Sequence, residues 1–145
     1  MVCVMLDSAL AIGCVMTLSC AGIPLNDDDR TPWLLSLHHL IHEAFSSSST
    51  CVLACSALKK KYRDMLEGDV QGFVKYIWLD IDPDVAKERC MLRGTESHFF
   101  PPSLIDSQYS ILDMTTAESF CHVRIDRGVK VEDIVRQILN TIMDY

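Results

Sequence analysis

The stretch FVKYIWLDIDPDVAKERCMLR, residues 73–93, decides the fold class of this 145-residue chain. Its first nine residues form an apolar run rich in aromatic and β-branched side chains, which is typical of a strand buried in a parallel sheet. Pro83 then stands where a helix can begin, and we expect a helix from Pro83 to Leu92. A strand followed directly by a helix is the repeating element of α/β proteins.

One more strand is predicted on each side of this stretch. CVLAC, residues 51–55, is a short continuous apolar run, and FCHVRID, residues 120–126, alternates apolar and polar side chains. A helix is expected from about Ala57 to Leu66. The clearest helical spacing follows the third strand, in Val131, Ile134, Val135, Ile138, Leu139, Ile142 and Met143. The pattern predicts one α/β domain with right-handed crossovers and a mainly parallel sheet.

A further helix is predicted upstream, in LNDDDRTPWLLSLHHLIHEAF, residues 25–45. Acidic residues and Pro32 mark its beginning, and SSSST, residues 46–50, ends it. One stripe of this helix is apolar: Trp33, Leu34, Leu37, Leu40, Ile41 and Ala44. His38 and His42 are four residues apart, but they are not part of an HExxH arrangement, and we predict no metal site.

Charge and cysteine content narrow the function and the compartment. The formal net charge of −7 argues against nonspecific binding to nucleic acid or to an anionic membrane, so basic clusters are expected to bind small anions. Seven cysteines without a CxxC pair predict neither a disulfide framework nor a zinc knuckle, which favours the reducing cytoplasm. The apolar first twenty residues lack a basic beginning and contain Asp7, so we predict neither a signal peptide nor a membrane span.

CSALKKKYRD, residues 55–64, is the strongest candidate for a site. It follows a predicted strand, and ligands of parallel sheets bind beyond the carboxyl ends of the strands. Its serine, lysines and arginine suit a ligand that carries negative charge and hydroxyl groups. The alternative is the solvated first turn of an ordinary helix, with Lys61 facing solvent.

Three motifs together resemble the gluconokinase family, which is similar in fold to shikimate and adenylate kinases. They are GIPLNDDDRTPWL (22–34), CSALKKKYRD (55–64) and HFFPPSLIDSQYSIL (98–112), and the resemblance covers about residues 21–145. It implies a three-layer P-loop-kinase-like fold. It also implies transfer of the γ-phosphoryl group of ATP, with Mg²⁺, to the 6-hydroxyl of D-gluconate, giving 6-phosphogluconate in the cytoplasm. A homodimer is plausible by the same resemblance.

The resemblance also assigns roles to individual residues. Lys59, Arg89 and Arg93 are expected to be catalytic, the two arginines on a mobile lid. Expected substrate ligands are Arg30, Ser56, Lys60, Arg63, His98 and Gln108, and Asp126 is expected on the adenine side. The spacing before His98 is about two residues longer than in the family.

Several of these residues have plain structural alternatives. Arg30 could form a local ion pair at the helix start, and Arg89 and Arg93 could be exposed helix charges. Gln108 could be a surface glutamine, and Asp126 could be an ordinary turn residue.

One family motif is missing, because GxxxxGK[ST] does not occur in the sequence. This P-loop cradles the nucleotide phosphates, so its loss should abolish useful kinase activity. We expect residues 1–20 to be an atypical segment in place of the P-loop strand and the second strand, with MVCVML as a candidate substitute strand, and residues 21–145 to form the gluconokinase-like domain. The function is then either gluconate phosphorylation or, without catalysis, a gluconate-binding or subunit-interaction module.

Overall fold

Helices alternate with two short parallel strands in this protein. The computed structural model describes residues 24–93, 101–114 and 120–143. In chain order the elements are α1 (Asp27–Ser46), α2 (Lys60–Glu67), β1 (Tyr76–Ile81), α3 (Pro83–Arg93), a 3-10 turn (Pro102–Leu104), α4 (Ile105–Ser110), β2 (Phe120–Ile125) and α5 (Val131–Met143). Within these residues, none of the helices is long and apolar enough to cross a membrane.

β1 and β2 form a parallel pair, with Tyr76 opposite Phe120 and Ile81 opposite Ile125. Parallel neighbours require a crossover connection, and α3 and α4 lie within the one that joins these strands. One face of the pair packs against α5, where Val123, Ile125 and Ile134 are buried. The predicted α/β class and the strands at the second and third positions are therefore confirmed.

α1 begins with a capping box. The Asn26 side chain accepts a hydrogen bond from the Asp29 backbone N–H, and the Asp29 carboxylate accepts one from the Asn26 N–H, both at 2.9 Å. This box starts the helix at Asp27, so Pro32 lies in the second turn and not at the first position. Leu34 and Leu37 are buried on the predicted apolar stripe.

The strand predicted at residues 51–55 is wrong. Leu53 and Cys55 are buried but Val52 is 58% exposed, so only one face of this extended segment meets the core. An apolar run indicates burial, whereas a strand also needs a neighbour to satisfy its backbone hydrogen bonds. In the described part of the chain, Cys55 forms a single isolated β-bridge, and the continuous ladder is that between β1 and β2.

α2 begins at Lys60, three residues later than predicted. Ala57 has a φ of +37°, a left-handed conformation that an α-helix cannot include, and the chain becomes helical only after Lys59. Residues 56–59 therefore form a loop between the buried Cys55 and α2. The boundary predicted after residue 20 and the candidate strand MVCVML lie outside the described residues.

The buried side chain of Arg63 fixes this loop through hydrogen bonds. Its guanidinium is fully buried, and it donates hydrogen bonds to the backbone carbonyls of Ala57 and Asp113, each at 2.7 Å. The Asp113 N–H in turn donates to the carbonyl of Leu58 at 2.7 Å. Arg63 and Asp113 thus connect α2, the loop before it and the segment after α4. These three contacts are called the Arg63 clamp below.

Gly68 ends α2 in a conformation that excludes a side chain. Its φ is +51°, and a Cβ there would lie 2.3 Å from Cε1 of His38, whose Nδ1 is held 3.1 Å from the carbonyl of Leu66. We expect Gly68→Ala to lower the free energy of unfolding by about 2 kcal/mol. Urea unfolding followed by tryptophan fluorescence measures this.

Gly72 provides the matched control for that substitution. Its φ is +85°, but a Cβ there meets no described atom within 4 Å. Gly72→Ala should therefore cost only the backbone strain, about 1 kcal/mol. Equal losses for the two variants would contradict a role for the His38 contact.

Candidate functional site

A single carboxylate gathers three donors where α1 and α2 begin. Asp27, the first residue of α1, accepts hydrogen bonds from Nζ of Lys59 at 2.8 Å, from Nζ of Lys61 at 2.5 Å and from the hydroxyl of Tyr62. These four residues are called the Asp27 cluster below. The predicted catalytic residue Lys59 is therefore paired, and Lys61 is exposed as predicted but also pairs with Asp27.

The ring of Tyr62 lies among three cations. Nζ of Lys59, Nζ of Lys61 and Cζ of Arg30 are 5.5, 5.8 and 5.7 Å from its centroid, within the range of cation–π attraction. Arg30 is buried and its guanidinium donates to the carbonyl of Leu25 at 3.4 Å, so it does not form the local ion pair that the sequence allowed. Three cations thus gather around Tyr62, beside the acidic first turn of α1 at residues 27–29.

The donors around Asp27 keep it ionised. Hydrogen bonds from Lys59, then Lys61 and Tyr62, hold the pKa of the Asp27 carboxyl far below its ordinary value, while Asp27 raises the pKa of Lys59. Burial, followed by the bond to Asp27, raises the pKa of the Tyr62 hydroxyl. A carboxylate with so low a pKa is a poor general base, so the cluster is suited to binding anions and not to removing protons.

The lowered pKa of the Asp27 carboxyl predicts a contribution to stability that depends on acidity. Because the pKa of Asp27 is lower in the folded chain than its ordinary 3.8, the cluster stabilises the fold above pH 3.8 and loses this effect as the pH falls further towards the folded-state pKa. Asp27→Asn should therefore destabilise the chain at pH 7 and lose less stability than the wild type on acidification. Unfolding at pH 7, 4 and 3 measures both. Parallel losses for the two proteins would contradict the prediction.

The other predicted substrate residues differ in burial and in their partners. Ser56 is half-buried in the loop before α2, and Lys60 lies on the exposed side of α2 with its Nζ 2.5 Å from Asp64. The side chain of Arg63 points into the protein and forms two of the hydrogen bonds of the Arg63 clamp. Gln108 is half-buried on α4. Their roles as substrate ligands remain predictions.

A second group of predicted residues lies beyond the last residue of β2. Nη2 of Arg89, on α3, donates to the carbonyl of Val129 at 3.1 Å and contacts that of Asp126 at 3.4 Å. Arg89 and Asp126 are thus adjacent, although 37 residues separate them. The Asp126 carboxylate is exposed and lies 3.5 Å from Nε of Arg124. The side chain of Arg93 and all of His98 lie outside the described residues.

An open pocket of about 620 Å³ adjoins Arg89. Cationic, apolar and acidic side chains line it together: Arg89, Arg127 and Lys130 with Val85, Leu92, Val129 and Val131, and with Glu88 and Glu132. Arg127 pairs with Glu88 at 2.9 Å. The apolar side chains suit a ligand ring, and Arg89 and Lys130 suit a negatively charged end.

The two groups lie towards opposite ends of β2. Cζ of Arg63 is 5.2 Å from the ring of Phe120, the first residue of β2, whereas Arg89 contacts carbonyls beyond its last residue. A six-residue strand spans about 17–20 Å. The structure therefore does not bring the predicted catalytic residues Lys59 and Arg89 into one contact group.

Sequence reasoning missed Asp27 and Tyr62. Asp27 looked like an ordinary acidic residue in a first helical turn, and 32 residues separate it from Lys59. The signal that could have suggested the contact is the pairing of an acidic triplet with a lysine triplet, both placed at predicted helix starts.

No metal centre is found among the described ranges 24–93, 101–114 and 120–143. His38 and His42 both approach the carboxylate of Asp69, with Nε2 to oxygen distances of 3.6 and 3.5 Å. The prediction that the protein binds no metal stays a prediction.

Comparison with curated proteins gives consistent relatives, although no family model matches the chain. The chain is 37% identical over 132 residues to a probable gluconokinase of Rattus norvegicus, covering 74% of this chain and 67% of the relative. It is 37% identical over 128 residues to a probable gluconokinase of Dictyostelium discoideum, covering 83% and 63%. It is 34% identical over 122 residues to the thermosensitive gluconokinase of Escherichia coli, covering 84% and 64%. The chain thus spans about two thirds of the length of these relatives.

Two solved structures resemble the fold. A sugar kinase from a Janibacter species superposes with a TM-score of 0.74 at 30% identity, covering 89% of this chain and 72% of that one. A gluconokinase from Sinorhizobium meliloti superposes with a TM-score of 0.72 at 33% identity, covering 93% and 73%.

Proposed function

Because this chain belongs to the gluconokinase family, we propose that it serves the transfer of a phosphoryl group from ATP to D-gluconate. The 6-hydroxyl oxygen of gluconate forms the new bond to the γ-phosphorus, the bond to the β-phosphate oxygen breaks, and the hydroxyl proton is released to solvent, so the products are ADP, 6-phosphogluconate and a proton. The observation that carries this proposal is the Asp27 cluster, where two lysines and a hydroxyl are held around one carboxylate.

The cluster and its loop form the gluconate side in this proposal. Lys59 and Lys61 attract the carboxylate of the sugar acid. Ser56 and Lys60, which neighbour Lys59 in the sequence, contact its hydroxyl groups in this proposal. Lys59 also balances the negative charge that approaches with the phosphoryl group. The buried Arg63 acts by positioning the loop, since its donors already bind backbone carbonyls. Gln108 and His98 complete the predicted set.

The pocket beside Arg89 forms the nucleotide side. Its valine and leucine side chains suit the adenine ring, and Arg89 and Lys130 suit the phosphates, while Arg127 is paired with Glu88. Asp126 supports this side through its carbonyl, which Arg89 contacts. The predicted lid function of Arg89 and Arg93 requires Arg89 to leave those carbonyls and approach the gluconate side.

The described residues do not fit the magnesium ion that the family implies. They contain no group of three metal ligands, and the phosphate-binding motif GxxxxGK[ST] does not occur in the 145-residue sequence. We therefore assign no step to magnesium.

The missing motif supports a second candidate, a gluconate-binding module without catalysis. We also propose, on the family resemblance, a cytoplasmic homodimer; a molecular mass near 16 kDa in light scattering would contradict the dimer.

The test combines binding and turnover on the purified chain. Isothermal titration calorimetry measures gluconate binding, with the neutral polyol sorbitol as control, and a coupled assay measures 6-phosphogluconate formation with ATP and Mg²⁺. Binding with turnover supports the kinase, and binding without turnover supports the binding module. A folded chain that does not distinguish gluconate from sorbitol contradicts both.

A further inference from the structure

We infer that Asp27 is the resident counter-ion of the gluconate site and that the carboxylate of the incoming sugar acid takes its place. This inference rests on the proposed function and adds to it. Binding then becomes an exchange of one carboxylate for another on the same lysines. Asp27 sets the affinity of the site without remaining among the ligands of the bound substrate.

The geometry of the Asp27 cluster carries the inference. Oδ1 of Asp27 accepts from Lys59 and Tyr62, and Oδ2 accepts from Lys61. The donors of one short segment of chain thus meet on the two oxygens of a single carboxylate. The carboxylate of gluconate offers the same two oxygens in the same planar arrangement, so it can replace those of Asp27 bond for bond.

Sharing the lysines between two carboxylates is unfavourable. A second carboxylate within hydrogen-bonding distance of Lys59 and Lys61 would lie a few ångströms from Asp27, and like charges at that distance repel each other even at this partly exposed site. The arrival of the gluconate carboxylate at the lysines therefore favours release of the Asp27 carboxylate.

The Asp27 carboxylate has a favourable alternative position when it is released from the lysines. Its side chain is 40% exposed, so it can turn to solvent without crossing the core. As the first residue of α1 it stays at the positive end of a 20-residue helix, which favours an ionised carboxylate there. Release consequently loses the bonds to the lysines but not the favourable position.

Asp27→Asn tests the exchange, because asparagine keeps the shape and removes the competing charge. Isothermal titration calorimetry at pH 7 and low salt should show gluconate binding about 10-fold tighter than in the wild type, with sorbitol unaffected. The matched control is Asp28→Asn, which removes the same charge from the same helical turn at an exposed position and should change the affinity less than twofold.

The outcomes separate this inference from the proposed function. Weaker or unchanged gluconate binding by folded Asp27→Asn would overturn the inference and show that Asp27 positions the lysines. An equal gain for Asp28→Asn would also overturn it, since the effect would then be general electrostatics. Absence of gluconate binding by the wild type and all variants would contradict the proposed function itself.

A measurement on the wild type covers the case in which Asp27→Asn does not fold. The chemical shift of the Asp27 carboxyl carbon, followed by NMR at pH 7, reports on the partners of this carboxylate in the free chain. Saturating gluconate should move it towards the chemical shift of the exposed Asp28 carboxylate, because the released carboxylate loses those partners. A chemical shift that is unchanged with gluconate bound would overturn the inference.

Discussion

Arg63→Leu should lower the free energy of unfolding by about 3–4 kcal/mol, the largest stability effect that we expect from one substitution in this chain. The guanidinium is fully buried and satisfies the carbonyls of Ala57 and Asp113 at 2.7 Å. Leucine would leave the buried carbonyl of Ala57 and the partly buried carbonyl of Asp113 without these donors and would fill less volume. The phenyl ring of Phe120 would also lose its cation at 5.2 Å.

Urea unfolding followed by tryptophan fluorescence measures this loss. Arg136→Leu is the matched control, because Arg136 is 70% exposed and pairs only with Asp133 in its own helix among the contacts described; its loss should be below about 0.5 kcal/mol. A loss under 1 kcal/mol for Arg63→Leu would show that the carbonyls find other donors. The Arg63 clamp would then not be what holds the loop.

Lys59→Met should weaken gluconate binding by about 10- to 100-fold, the largest functional effect that we expect. Lys59 contributes a charge-assisted hydrogen bond towards the carboxylate of the substrate in our proposal. Its pair with Asp27 is partly exposed to solvent, so the fold should tolerate its loss. Any turnover of the chain should fall at least as far, because Lys59 also faces the phosphoryl group in our proposal.

Calorimetry with gluconate measures the affinity, and the melting temperature shows whether the fold is intact. Lys75→Met is the control, because it removes the same charge from the chain at an exposed position just before β1. Equal weakening in both variants would indicate a general effect of net charge. Unchanged affinity in Lys59→Met would exclude Lys59 from the gluconate site.

The elements that could be predicted from the sequence are those with a local signal. The apolar stripe of α1, the aromatic run of β1 and the helical spacing of α5 each depend on neighbours a few residues apart. The family and the P-loop-kinase-like fold are likewise confirmed, because the motifs that carried the resemblance are long and continuous.

The parts that could not be predicted depend on distant partners. CVLAC has the composition of a strand, but composition does not say whether a neighbouring strand is present to pair with it. Arg63 has the chemistry of a ligand for anions, yet its position one residue after Tyr62 and three before Leu66 places it on the buried side of α2. Asp27 meets Lys59 across 32 residues, a contact that no local pattern contains.

The Arg63 clamp also determines which parts of the chain open together. Asp113 both donates to Leu58 and accepts from Arg63, so its segment cannot leave without breaking the hydrogen bonds that fix the loop of residues 56–59. Amide hydrogens on the two segments, about fifty residues apart, should then exchange with deuterium in a single cooperative opening. In our proposal this loop contacts gluconate, and its hydrogen bond to Asp113, within the crossover between β1 and β2, fixes it before the substrate binds.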